Sequence, residues 1–213
     1  MVITYQGIES FRVQFGDTVL AFNPISKDSK FKATSFGSDI VLVTANHPDF
    51  NGAESASRGE KKESFVINGP GEYEVGGVFV KGFQTTTSYG GKEILNTIYT
   101  VMLEGMNICF LGGLGNINLP SKTQEALEEI DILFVPIGGD GVLDSAEAYK
   151  LAVGLEAKII IPMHYGEVGK SEALKMFLKE SDTSNGVPVD KLTLKKKDLE
   201  GKSGDIVVIK PSL

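Results

Sequence analysis

The chain has 213 residues and a net charge of −7, with 41 % hydrophobic and 23 % charged residues, the make-up of a globular protein large enough to bury a core. The acidic balance argues against nucleic acid as the main partner, and a single cysteine allows neither an internal disulfide nor a CxxC pair holding zinc. No apolar run reaches the length of a membrane span and MVITYQG carries no basic leader, so a cytoplasmic protein without membrane contact is expected, organised as one domain over residues 1–213.

In chain order, Phe11, Val13 and Phe15 alternate with Arg12, Gln14 and Gly16, and after Gly16-Asp17 comes Val19-Leu20-Ala21-Phe22, a hairpin ended by Asn23-Pro24. Residues 26–38 read as a polar loop. Ile40 to Thr44 is an unbroken apolar and β-branched run, the pattern of a strand buried on both faces. It empties into Ala45-Asn46-His47-Pro48-Asp49-Phe50. The small and charged residues 51–63 are expected to form a mobile surface segment. Strands follow at Phe65-Val66-Ile67 and, past a turn at Gly69-Pro70-Gly71, at Val75–Lys81, with a loop over Thr85–Lys92. Thr97–Leu103 and Asn107–Leu111 pair across Glu104-Gly105-Met106.

The second half alternates. Ser121-Lys122-Thr123-Gln124 matches a capping box with Ser121 as N-cap, predicting a helix to about Glu129. Ile132–Val135 reads as a strand, Asp144-Ser145-Ala146-Glu147 as a second capping box opening a helix to Leu155, and Ile159–Ile161 as a buried strand. Lys170–Glu180 carries Leu174, Phe177 and Leu178 at helical spacing. Leu192–Leu194 and Ile206–Ile209 are strand-like on either side of Gly201–Gly204. Meanders first and alternating α and β later imply an α/β fold of two stacked sheets with helices outside.

Strand ends at Thr44–Asp49, Leu111–Asn116, Ile137–Asp140 and His164–Glu167 are polar or glycine-rich, and sites in layered α/β folds gather at such ends. Both histidines of the chain, His47 and His164, follow apolar runs. Converging ends would unite His47, Asp49 and His164, a set of donors that one Zn, Mn or Fe ion can use with positions left for water. Water on such an ion attacks esters or phosphates at neutral pH, with Asp49 as the catalytic residue of an active chain. The same residues also read without chemistry: Asp49 in a turn, His47 capping a neighbouring backbone, His164 hydrogen-bonded and structural. Glu72 and Tyr73 fit a turn beside Pro70-Gly71, and Lys195-Lys196-Lys197 fits a solvated edge.

Over nearly its whole length the chain resembles metallo-β-lactamase-fold proteins, above all the small Zn-dependent hydrolase branch with the ascorbate-6-phosphate lactonase-like proteins. The resemblance rests on Ile3–Gly7, Phe22-Asn23-Pro24, Ile40–Thr44, Pro70–Tyr73, Asn96–Tyr99, Ile108–Gly115, Asp131–Gly139 and Ile161–Tyr165. It implies a four-layered αββα sandwich with its site at one edge between the sheets. In the family, HxHxDH follows the strand; here Ala45 and Phe50 replace its first and last histidines, and Phe110 replaces the next. Gly113 stands for a bridging aspartate, Asn23 for the aspartate of an early Asp-Pro pair, and Ile8 for another histidine. By the same resemblance His47 belongs to one metal, while Asp49 and His164 belong to the other. Zinc sites take about three or more protein ligands, so a dinuclear centre is not expected.

Three functions follow. The preferred one is a pseudo-hydrolase without metal, serving in binding or assembly with an unknown small molecule or protein. The second is a hydrolase of a small ester, lactone or phosphoester with one weakly held Zn, Mn or Fe ion on His47, Asp49 and His164. The third is metal-free catalysis with His47 as general base. Phe50 and Phe110 favour the first by filling ligand space with apolar rings. Cys109 offers no substitute, because strand neighbours face opposite ways.

Overall fold

A computed structural model describes residues 1–61, 63–181 and 187–212. The opening meander forms as its alternation predicts: β1 (Val2–Gly7), β2 (Ser10–Phe15) and β3 (Thr18–Phe22) run antiparallel, with Val13 opposite both Ile3 and Leu20. β4 (Ile40–Leu42) and β5 (Phe65–Ile67) extend it in parallel. Then come β6 (Gly71–Val75), β7 (Val78–Thr87), β8 (Ile94–Leu103) and β9 (Met106–Phe110), all antiparallel neighbours. The second half supplies α1 (Ser121–Ala126), β10 (Ile132–Pro136), α2 (Ser145–Gly154), β11 (Ile159–Met163), α3 (Ala173–Glu180), β12 (Leu192–Thr193) and β13 (Asp205–Ile206).

Two mixed sheets result. One has the order β12-β1-β2-β3-β4-β5 and the other β13-β11-β10-β9-β8-β7-β6. Between them lies the main core, where Tyr5, Phe11, Leu20 and Phe22 meet Tyr99, Phe110, Phe134 and Ile161. On the outer face of the seven-stranded sheet, Cys109, Leu133 and Ile160 pack under Leu127, Ala148, Ala152 and Phe177 from the helical layer. The outer face of the six-stranded sheet is covered at Ala21, Val41 and Val43 by Phe36, Ala53 and Ala56, from a loop and a 3-10 turn at Ala53–Ser55. This is the αββα sandwich that the resemblance implied.

Local expectations fared unevenly. Asp144 caps α2 as its box predicts, accepting from the Ala146 and Glu147 amides at 3.1 and 3.0 Å while Glu147 reaches back to the Asp144 amide. Ser121 does not cap α1: the Pro120 carbonyl accepts from the Thr123 and Gln124 amides, so the helix starts one residue earlier and ends at Ala126. Gly76-Gly77 is a hairpin turn with φ of 58° and 79°, not strand interior, because two left-handed residues match the twist of the strands they join. Thr85–Thr87 extends β7 instead of opening a loop. Residues 51–63 were expected to be mobile. Yet Ser55 and Ala56 are buried, and Gly52 lies so close to the Ile25 backbone that a Cβ would meet it at 2.3 Å; Lys62 falls outside the described residues. The two C-terminal strands separate, β12 pairing with β1 and β13 with β11, one on each sheet.

Candidate functional site at the strand ends

Register sets the site. Parallel pairing aligns Phe22 with Leu42, Phe134 with Phe110 and Pro136 with Met163, so the chain leaves β3, β4, β9, β10 and β11 at one edge of the sandwich. Gly112 makes the approach possible there, since a Cβ would sit 2.6 Å from Asn96 Oδ1 and Thr44 Oγ1.

One half of this edge is a buried polar network. His164 and Glu9 are both 0 % exposed, with His164 Nδ1 2.7 Å from Glu9 Oε1. Asn23 Nδ2 donates to Glu9 Oε2 at 2.9 Å and to Thr44 Oγ1 at 2.8 Å, and Asn23 Oδ1 accepts from the Thr44 amide at 2.9 Å. The Ile8 carbonyl accepts from the His164 amide at 2.6 Å and from the Tyr5 hydroxyl at 2.7 Å. Ile8, Asn23 and His164 are all left-handed, with φ of 55°, 42° and 60°. Such backbone is costly for a β-branched residue and persists only where its surroundings enforce it. With Glu9 accepting as a carboxylate, a neutral His164 carries its proton on Nδ1, and its buried Nε2 has no hydrogen-bond partner.

The other half is filled. Ile8, Ala45 and Phe50 pack with Ile25 and Val168 in one apolar cluster, with Tyr89 and Ile94 against it. Asp49 is 3 % exposed. Its Oδ1 accepts from the Ser29 hydroxyl at 2.5 Å and its Oδ2 from the Tyr89 hydroxyl at 2.7 Å. His47 Nδ1 accepts from the Asp49 amide at 3.2 Å and lies 3.5 Å from Asp49 Oδ2. The Tyr89 ring stands 4.9 Å from His47, 4.8 Å from His164 and 5.2 Å from Phe50. Burial, then the bond to Asp49, pushes the Tyr89 phenol above its ordinary range, so it stays a donor. Above this floor opens a shallow pocket of about 380 Å³ bordered by Asp28, Lys30, His47, Pro48 and Gly90.

His47 and Asp49 are therefore neighbours as expected, while Tyr89 stands beside both them and His164. Among the described residues, no three His, Cys, Asp or Glu side chains are grouped to hold a metal ion. The donor chemistry agrees: Asp49 has a hydroxyl on each oxygen and His47 Nδ1 takes an amide, while the buried His164 Nε2 has no hydrogen-bond partner. As arranged, these residues do not fit a Zn, Mn or Fe ion. Phe110 needs a correction, since its ring packs against Phe22 and Phe134 at 4.8 and 5.6 Å in the core and fills no ligand space. Cys109 faces the helical layer, as strand alternation predicts. Gly113 does face the site, where a Cβ would lie 3.4 Å from Phe50 and 3.6 Å from Glu9 Oε1. Sequence reasoning missed Glu9, Ser29 and Tyr89, which lie in polar or glycine-containing stretches with no local signal.

Comparison with known proteins agrees with this architecture. The beta-lactamase superfamily domain matches residues 2–164. A UPF0173 metal-dependent hydrolase of Thermoplasma volcanium is 30 % identical over 185 residues, covering 75 % of this chain and 79 % of its own length. Its counterpart from Thermoplasma acidophilum is 29 % identical over 171 residues, covering 70 % and 74 %. A crystal structure from Thermotoga maritima, described as a Zn-dependent hydrolase of the metallo-beta-lactamase superfamily, superposes with a TM-score of 0.78 at 30 % identity, over 98 % of this chain and 97 % of that one. Domain match, sequence identity and structural superposition converge, and the chain belongs to the metallo-β-lactamase superfamily.

Proposed function

We propose that this chain is a pseudo-hydrolase of its superfamily: the dinuclear metal centre is lost, and the protein works by binding or assembly, with a small molecule or another protein as partner. The relatives' names speak of metal-dependent hydrolysis, which points to a metal in their chemistry. The observation that carries a different reading here is the apolar cluster of Ile8, Ala45 and Phe50. By the family resemblance Ala45 and Phe50 stand where metal-binding histidines are placed and Ile8 where relatives often carry a histidine, and together they make a small core in place of a donor set. Apolar packing of this kind excludes the water that a hydrolytic ion must hold.

Metal analysis of protein purified without chelator tests the reading. Well under one Zn, Mn or Fe per chain is expected, with a melting temperature that neither EDTA nor added Zn²⁺ moves. Esters, lactones and phosphodiesters should not be turned over under any metal supplement. Near-stoichiometric metal that disappears in His164→Ala would overturn it.

A further inference from the structure

The helical layer covers only part of the seven-stranded sheet. On β7 and β8, Val78, Val80, Val101 and Leu103 point into the core between the sheets, so Phe79 and Met102 point outward. There they stay open, Phe79 53 % and Met102 44 % exposed. The two are direct cross-strand partners, so they form one apolar patch and not two scattered points. Beside Met102, which stands opposite Asn107, a cleft of about 920 Å³ reaches from the Gly105 turn to Ile130. Asn107 Nδ2 donates to the Glu128 and Glu129 carbonyls at 3.0 and 3.4 Å and so holds one rim, where both glutamates are exposed. On the Gly105 side stands Lys196, also exposed, its Nζ 3.2 Å from where a Cβ on Gly105 would be. Between the rims, Lys158 holds Asp131 at 2.7 Å. The cleft therefore presents both signs of charge next to an apolar pair. The nearby sheet edge is a poorer seat for a partner, because Glu72 and Glu74 are exposed along β6 and charge on an edge strand repels a second strand.

We propose that this face seats a second copy of the chain, in a two-fold contact whose axis runs through the cleft. A surface can dock on its own copy only if it complements itself. Turned by half a revolution about the cleft, Lys196 of each copy comes opposite Glu128 and Glu129 of the other, and Phe79 and Met102 are withdrawn from water at the flank. Stable contacts cover about 800 Å² per partner. Two half-exposed side chains fall well short of that, so the charged rims belong to the interface with them. Phe79 lies at the start of β7 and the strand-end loop with Tyr89 follows its other end, which separates this face from the site. A metal ion found at the strand ends would leave the contact as it is, and a monomeric chain would leave the pseudo-hydrolase reading as it is.

Sedimentation velocity over a concentration series of the purified chain tests it, with far-ultraviolet circular dichroism to check the fold of each variant. Wild type should show a concentration-dependent equilibrium between monomer and dimer. Phe79→Ser/Met102→Ser should weaken that dimer by about tenfold or more; if this variant does not fold, Met102→Lys carries the same expectation. Lys196→Glu and Glu128→Lys/Glu129→Lys should each weaken it too, since like charges then face one another across the axis. An equimolar mixture of those two variants should recover the dimer, because both contacts in the mixed pair again join opposite signs. A wild type that stays monomeric at every concentration overturns the proposal. So does a dimer indifferent to the Phe79 and Met102 substitutions, or a pair of charge variants that does not recover on mixing.

Discussion

The two halves of the strand-end site obey different constraints. In the polar half, Glu9, Asn23, Thr44 and His164 come from the β1–β2 connection and the ends of β3, β4 and β11, and each holds its neighbour in place at 2.7 to 2.9 Å. Removing any of them strands a buried polar or charged group, which is costly. In the filled half, Ile8, Ala45 and Phe50 meet one another through side-chain contact alone. Apolar packing is non-directional, so an apolar residue of suitable size can replace a donor there with no rewiring. Side chains of the polar half are tied in place by directional partners; those of the filled half are held by volume alone.

The sharpest way to break this contrast is Asn23→Asp, which sets a second carboxylate against Glu9 inside a buried network. A loss of about 3–5 kcal/mol is expected from urea unfolding; a near-neutral change would show the network to be dispensable. Phe50→Ala comes next, at about 3 kcal/mol for a ring removed from the filled half, and there Phe50→Met should recover most of the loss because only volume is at stake. Tyr89→Phe leaves Asp49 Oδ2 without its donor and should cost about 1–2 kcal/mol.

The smallest effect is one of pH. Burial holds the phenols of Tyr5, Tyr89 and Tyr99 above their ordinary value of 10.0 in the folded chain. The unfolded chain therefore loses these protons first. The stability they contribute is complete below about pH 10 and declines as pH rises beyond it. Melting temperature followed from pH 8 upward should fall above that point, less steeply in Tyr89→Phe.

What the sequence disclosed follows the range of each signal. Asp144 and Glu147 act across three residues, and their capping box was legible without a structure. The same holds for the β2–β3 hairpin and for the opposite facing of Cys109 and Phe110. His47, Asp49 and His164 stood out because histidines are few and both follow buried strands. Their partners did not: Glu9 lies 155 positions from His164, and Tyr89 lies 40 from Asp49. Nothing local in Gly-Ile-Glu-Ser or Ser-Tyr-Gly-Gly marks those pairings. Ser121 misled for the opposite reason, a well-formed local signal displaced by the neighbouring Pro120.

The left-handed bend at Ile8 is held from outside the residue. Hydrogen bonds from the His164 amide and the Tyr5 hydroxyl to its carbonyl fix that bend, and neither involves the side chain at position 8. The surroundings enforce the main-chain shape at this corner even against the strain of a β-branched residue. A substitution at position 8 therefore changes what projects into the site while leaving in place the hydrogen bonds that hold the bend.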